Sequence, residues 1–210
     1  MKYESLISKV EKVPCFTTGF LAAGESLSQI RLQLSRWRRA GKVIQIHRGL
    51  YVLPEPYRNC RAESFCIANA IKPSYVSLHS ALAWWGLIPE YVPEITSVTT
   101  QRPGSYETPL GRFSYRHISV DRFWGSQLVK SVEGHDMRVA CPEKALLDLI
   151  YLTKGGQEMD FLRELRLQNT ETLNWEKFSA FADRMDGPKI LRARHNLKEI
   201  LHDNAQEVTL

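Results

Sequence analysis

Long hydrophobic runs are missing from this sequence. No stretch approaches the roughly 18–20 apolar positions that a membrane-spanning helix requires. The first residues, "MKYESLISKVEK", are charged where a secretory signal carries an apolar core. A cytoplasmic protein without a membrane partner is therefore expected. Cysteine is scarce: Cys15, Cys60, Cys66 and Cys141 fit no CxxC pair, zinc ribbon or redox motif. They read as small apolar residues in a reducing compartment. His47, His79, His117, His135, His195 and His202 form no HxxxH, HxH or HExxH cluster, so neither a metal nor a cofactor is expected. A Gly-rich phosphate loop, a GxSxG elbow and a DxD pair are also missing. Ser77, His79 and Ser80 sit together in "SLHS", but neighbours in sequence do not make a triad. No residue is nominated as catalytic, and an enzyme is not expected.

What the chain does have is an uneven charge. Its 210 residues carry a net +5. The first sixty hold ten lysines and arginines against four acids, a net +6, and the remaining 150 come to −1. A basic module joined to a nearly neutral body is the layout of a nucleic-acid binder with a separate effector or partner domain. The 43% hydrophobic and 24% charged fractions exclude a disordered or fibrous chain.

Within the basic part, Tyr3, Leu6, Ile7 and Val10 recur at helical spacing over 3–10. "PCFTTGFLAAGE" offers a break at Pro14, a cap at Thr17 or Thr18, and a short helix ending at Gly24. "ESLSQIRLQLSRWRRAGK" opens with Ser26 and Ser28, suited to N-caps, and closes on Gly41. Leu27, Ile30, Leu34 and Trp37 make its apolar stripe. Ser28, Gln29, Arg31, Gln33, Ser35, Arg36, Arg38 and Arg39 lie opposite. This reads as a helix-turn-helix whose last helix is expected to enter a major groove. Gln and Arg make bidentate contacts with adenine and guanine, so the helix start is expected to meet bases. Arg36, Arg38 and Arg39 at its end are expected to meet phosphates.

"KVIQIHRGLYVLP" follows as a hairpin. Val43, Ile44 and Ile46 form one strand, His47-Arg48-Gly49 the turn, Leu50–Leu53 the return, and Pro54 the stop. A hairpin after a recognition helix is a wing, and its cationic tip reaches the minor groove or the backbone. The same pattern is compatible with an ordinary solvated face, or with a winged helix serving as a protein-binding module. Residues 1–55 are thus expected to form a winged helix-turn-helix, and "LPEPYR" a hinge. Residues 56–210 are expected to form a second, mixed α+β domain.

That second part reads as helix 62–71, a short strand and helix in "YVSLHSALAWWGL", and strands in "EITSVTTQ" and 111–120. "MRVACPEKALLDLIYLT" gives a strand then a helix starting at Pro142, with further helices over 157–167, 174–185 and 188–203. Trp84 and Trp85 read as core or interface. Lys144 and Asp148 stand one helical turn apart, the spacing of an intrahelical salt bridge.

"GKVIQIHRGLYVLP", "PSYVSLHSALAWWGLIPE", "GRFSYRHISVDRFWG" and "ACPEKALLDLIYL", in that order, resemble the AbiE-type antitoxins of type IV toxin–antitoxin systems. The resemblance covers about residues 10–155. It implies a winged-helix domain that represses its own operon by binding double-stranded DNA at inverted repeats. It also implies a C-terminal domain that cancels a nucleotidyltransferase-like toxin, with or without a stable complex between the two. The DNA-contacting residues carried over are Ser28, Gln29, Arg31, Gln33, Arg36, Arg38, Arg39, Lys42, His47 and Arg48. His79, Trp84, Trp85, Glu143, Lys144 and Asp148 are nominated for the antitoxin face. The alternative is a winged-helix regulator whose C-terminal domain binds a ligand or an unrelated protein.

Overall fold

The computed structural model describes residues 1–22, 26–60, 62–90 and 92–207, with side chains through Leu201. The expected helix stop at Gly24 and the side chain of His202 lie outside the described residues. Among them, no helix is long and apolar enough to cross a membrane.

The chain begins with three helices, α1 (Tyr3–Val10), α2 (Thr18–Leu21) and α3 (Leu27–Arg39). Thr17 caps α2 by accepting the Phe20 N–H at 3.1 Å. Gly41, at φ +67°, lets the chain reverse out of α3, a conformation that costs other residues steric strain. A three-stranded antiparallel sheet follows in the order β1 (Phe16–Thr17), β3 (Leu50–Val52), β2 (Ile44–His47). Residues Phe16 and Thr17, which the sequence suggested only as part of a break and cap, complete this sheet. The first module is therefore a winged helix.

The wing is buried on both faces. Val43, Tyr51 and Leu53 join Leu6, Val10, Phe16, Leu21, Ile30, Leu34 and Trp37 in one core. Ile46, Leu50 and Val52 join the larger core of the second part. Successive strand residues point to opposite faces, so a strand between two cores reads as an unbroken apolar run.

The segment expected as a hinge is folded. Glu55–Tyr57 forms a 3-10 turn, and Tyr57 meets Tyr3 edge-on at 5.6 Å. Tyr3 in turn tilts against Trp37 at 5.5 Å. The Asn59 N–H donates to the Glu11 carbonyl at 2.7 Å. Backbone and ring contacts hold this stretch against α1, where its prolines had suggested freedom.

Beyond it come α4 (Ser64–Ile71), β4 (Tyr75–Val76), α5 (Leu78–Trp84), β5 (Glu94–Thr99), β6 (Gly104–Thr108), β7 (Gly111–His117), β8 (Ser126–Lys130) and β9 (Asp136–Ala140). The helices α6 (Pro142–Leu152), α7 (Met159–Glu164), α8 (Trp175–Met185) and α9 (Pro188–Glu207) complete the chain. The six strands form one mixed sheet, β6-β7-β5-β4-β9-β8, in which β5 runs parallel to β7 and β4 to β9. The architecture is α+β. Helix α6 is buried along nearly its whole length and packs against α5, α8 and α9.

Candidate nucleic-acid interface

Helix α3 is anchored by three of its four expected stripe residues. Ile30, Leu34 and Trp37 are buried. Leu27, in the first turn, is 46% exposed and stands outside the core. The anchored face leaves Ser28, Gln29, Arg31, Arg36 and Arg39 exposed, with Gln33 and Ser35 half-buried. Near the middle of the open face lies a residue that the sequence had not singled out, Leu32, 55% exposed. Its signal was present: at the 100° step of a helix it falls opposite Ile30, Leu34 and Trp37. An exposed apolar side chain there can meet a thymine methyl group.

The nominated residues divide between two flanks of α3. Gln29, Gln33 and Arg36 line a hollow of about 260 Å³ together with Met1, Ile30 and Leu32. On the other flank Arg38, His47 and Arg48 line an open cleft of about 550 Å³ between the end of α3 and strand β2, which Pro109 also borders.

Two of these residues have structural partners. The Arg38 guanidinium donates to Gln45 Oε1 at 2.5 Å, and Gln45 Nε2 donates to the His47 carbonyl at 3.2 Å. That chain ties the end of α3 to the wing strand. His47 belongs to β2 rather than to the turn, and its ring stands edge-on to Tyr106 of β6 at 4.9 Å. It faces the second part of the protein. Arg48 stays exposed at the turn, beside Gly49 at φ +78°. The Thr18 N–H at the start of α2 donates to the Gly49 carbonyl at 3.1 Å, which fixes the wing against the helices. Lys42 is exposed, with its ammonium 4.8 Å from the Tyr3 ring centroid. The Tyr3 hydroxyl donates to the Lys42 carbonyl at 2.8 Å. The exposed cations Arg31, Arg36, Arg39, Lys42 and Arg48 thus rise from a frame held by hydrogen bonds and rings.

The residues nominated for an antitoxin face do not form one surface. On α5, His79 is exposed and Trp84 is 43% exposed beside Phe65. Trp85 donates its indole N–H to the Ala140 carbonyl at 2.8 Å. Glu143, Lys144 and Asp148 are interior groups. A partner cannot touch a side chain with no exposed area, so Lys144 and Asp148 are removed from any contact surface.

What they do instead is hold the middle of the body. Lys144 pairs with Asp148, the intrahelical bridge their spacing suggests. The Tyr75 and Ser77 hydroxyls donate to Asp148 Oδ2 at 3.0 and 2.8 Å. The Lys144 ammonium lies 4.9 Å from the Trp124 ring and donates to the Tyr75 hydroxyl at 3.0 Å. Gly125, at φ +76°, lies against this lysine; a Cβ there would stand 2.8 Å from Lys144 Cγ. Burial, and then the Asp148 charge, push the Tyr75 phenol far above its ordinary value. It therefore stays a neutral donor. Glu143 Oε2 lies 2.9 Å from Lys177 Nζ, and Oε1 accepts the Asn174 N–H at 3.0 Å. Burial pushes this carboxyl upward, but Lys177 and the backbone N–H donors outweigh it and hold it below its ordinary range.

Residues 6–54 match the family model described as transcriptional regulator, AbiEi antitoxin. The match spans the helix-turn-helix and the wing, and it agrees with the resemblance carried by the sequence motifs. No curated protein matches the chain.

Proposed function

We propose that this protein is an antitoxin of a type IV toxin–antitoxin system that represses its own operon by binding inverted repeats through α3 and the wing. The observation that carries the reading is the row of exposed cations on α3 and the wing, within the segment that matches the AbiEi regulators. The start of α3 enters the major groove, where Gln29 and Arg31 read adenine and guanine edges and Leu32 packs on thymine. Arg36, Arg39 and Lys42 take phosphates, and Arg48 takes the flanking backbone or minor groove. Two copies on an inverted repeat place their helices about one DNA turn, roughly 34 Å, apart or a multiple of it.

The rest of the chain, in this reading, neutralises a nucleotidyltransferase-like toxin in the cytoplasm. Of the nominated surface, His79 and the half-exposed Trp84 on α5 remain available for contact. The test is co-expression of the chain with the product of an adjacent nucleotidyltransferase gene, together with a gel-shift titration on the upstream duplex. Rescue of growth and a specific shift are expected. A specific shift without rescue would leave a winged-helix regulator and refute the antitoxin role. Rescue without a shift would refute the repressor role.

A further inference from the structure

We propose that Cys60, Glu133 and His135 form a binding site for a zinc-class divalent cation, joining the segment that leaves the wing to the β8–β9 hairpin. One ligand atom from each side chain lies within 4.8 Å of the other two. The Glu133 carboxylate and the His135 Nε2 are already 3.9 Å apart. A tetrahedral zinc with bonds of about 2.0–2.3 Å places its ligands roughly 3.3–3.8 Å from one another. Rotation of exposed or half-exposed side chains is enough to cover the difference.

Both sides of the site are held by backbone. Ser131 organises the hairpin turn: its Oγ accepts the N–H of Glu133 at 3.3 Å and of His135 at 3.1 Å. Its own N–H donates to the His135 carbonyl at 2.9 Å. Gly134, at φ +83°, allows the reversal that brings Glu133 and His135 to one side. Across from them, Cys60 follows Asn59, whose N–H and side chain are bonded to Glu11. Cys60 and Glu133 open onto a cleft of about 380 Å³ lined also by Glu55, Arg58 and Asn59. That cleft gives an entry path and room for water as a fourth ligand.

The donor set selects the ion. A thiolate and an imidazole favour zinc-like borderline cations over calcium or magnesium, which prefer oxygen alone. Arg58 is turned partly away, donating to the Leu53 carbonyl at 3.4 Å and pairing with Glu55 at 3.8 Å. A bound metal ion stabilises the thiolate directly, because it places positive charge at the sulfur. No sequence motif marks the site, because its two parts stand 73 positions apart. It would clip the exit of the winged helix to the edge of the six-stranded sheet, so its occupancy bears on how firmly the two parts are joined.

The test uses the full chain, reduced and stripped of metal by a chelator, titrated with Co²⁺ as a spectroscopic substitute. One equivalent should bind, with a near-ultraviolet thiolate-to-cobalt band that Zn²⁺ displaces. Cys60→Ser should remove the band and weaken binding at least about tenfold. Glu133→Gln should weaken binding and keep the band. Cys141→Ala, at a buried cysteine outside the cluster, should leave both unchanged. Zn²⁺ should raise the thermal midpoint of the unaltered protein but not of Cys60→Ser, with circular dichroism confirming that each variant is folded. Binding by folded Cys60→Ser as tight as by the unaltered protein, or a band that survives Cys60→Ser, would overturn the assignment.

Discussion

Replacing Asp148 by alanine strips the only carboxylate from a fully buried set of polar groups: the Lys144 ammonium and the Tyr75 and Ser77 hydroxyls all direct hydrogen bonds to it. Both charged side chains are 0% exposed, so water cannot replace the lost partner without opening the core. Removing one member of such a pair costs about 3–5 kcal/mol, because the remaining charge stays buried and uncompensated. The two hydroxyls lose their acceptor in the same step, which places the cost at the upper end of that range. Urea unfolding followed by tryptophan fluorescence gives the value, since Trp124 lies against Lys144. The double variant Lys144→Met with Asp148→Leu removes both charges at similar volume. It should cost less than Asp148→Ala, because no uncompensated charge stays buried, while the Tyr75 and Ser77 hydroxyls still lose their acceptor. A cost under about 1 kcal/mol for Asp148→Ala would mean that water reaches Lys144, and the interior assignment would fail.

Three further outcomes follow from the same geometry. Trp37→Ala should cost about 3–5 kcal/mol and lose specific and random DNA binding together; a folded variant that loses only DNA affinity would place the indole on the duplex. Glu143→Gln should alter the acid limb of stability. With its folded value held below the ordinary 4.5, Glu143 stabilises the protein above that pH and loses this contribution as pH falls. Unfolding measured from pH 6 to 3 should show a shallower decline in the variant, and an unchanged slope would refute the assignment. Arg31→Ala should cost about 1–3 kcal/mol on the operator and little on random duplex, whereas Arg39→Ala should weaken both alike. Competition titrations distinguish the two, and the reverse pattern would exchange the roles of the helix start and end.

The helices were legible because their apolar residues follow a single period and their caps are local. Thr17, Gly41 and Pro142 are examples. Strands β6 and β8 were not legible, because neither carries a clean alternation. "GSYET" and "SQLVK" pair by backbone bonds with neighbours that supply the apolar face. The folded Glu55–Tyr57 segment was hidden for another reason. Its order comes from Tyr3 and Glu11, some fifty residues earlier, and local composition carries no trace of that. The cationic face was legible from charge alone. The engagement of Arg38 with Gln45 and of His47 with Tyr106 was not, since each depends on a side chain brought in by the fold. Lys144 and Asp148 were read correctly as a pair but also nominated for a surface, because periodicity does not distinguish a solvated helix face from one buried against other helices.

The central claim is that the exposed cations of α3 and the wing are the DNA face. The salt dependence of binding to the upstream duplex tests it most directly. If Arg36, Arg39, Lys42 and Arg48 meet phosphates, log K should fall against log salt with a slope of about −3 to −4 per bound module. Fluorescence anisotropy from low to physiological salt gives that slope. A flat response would contradict the assignment.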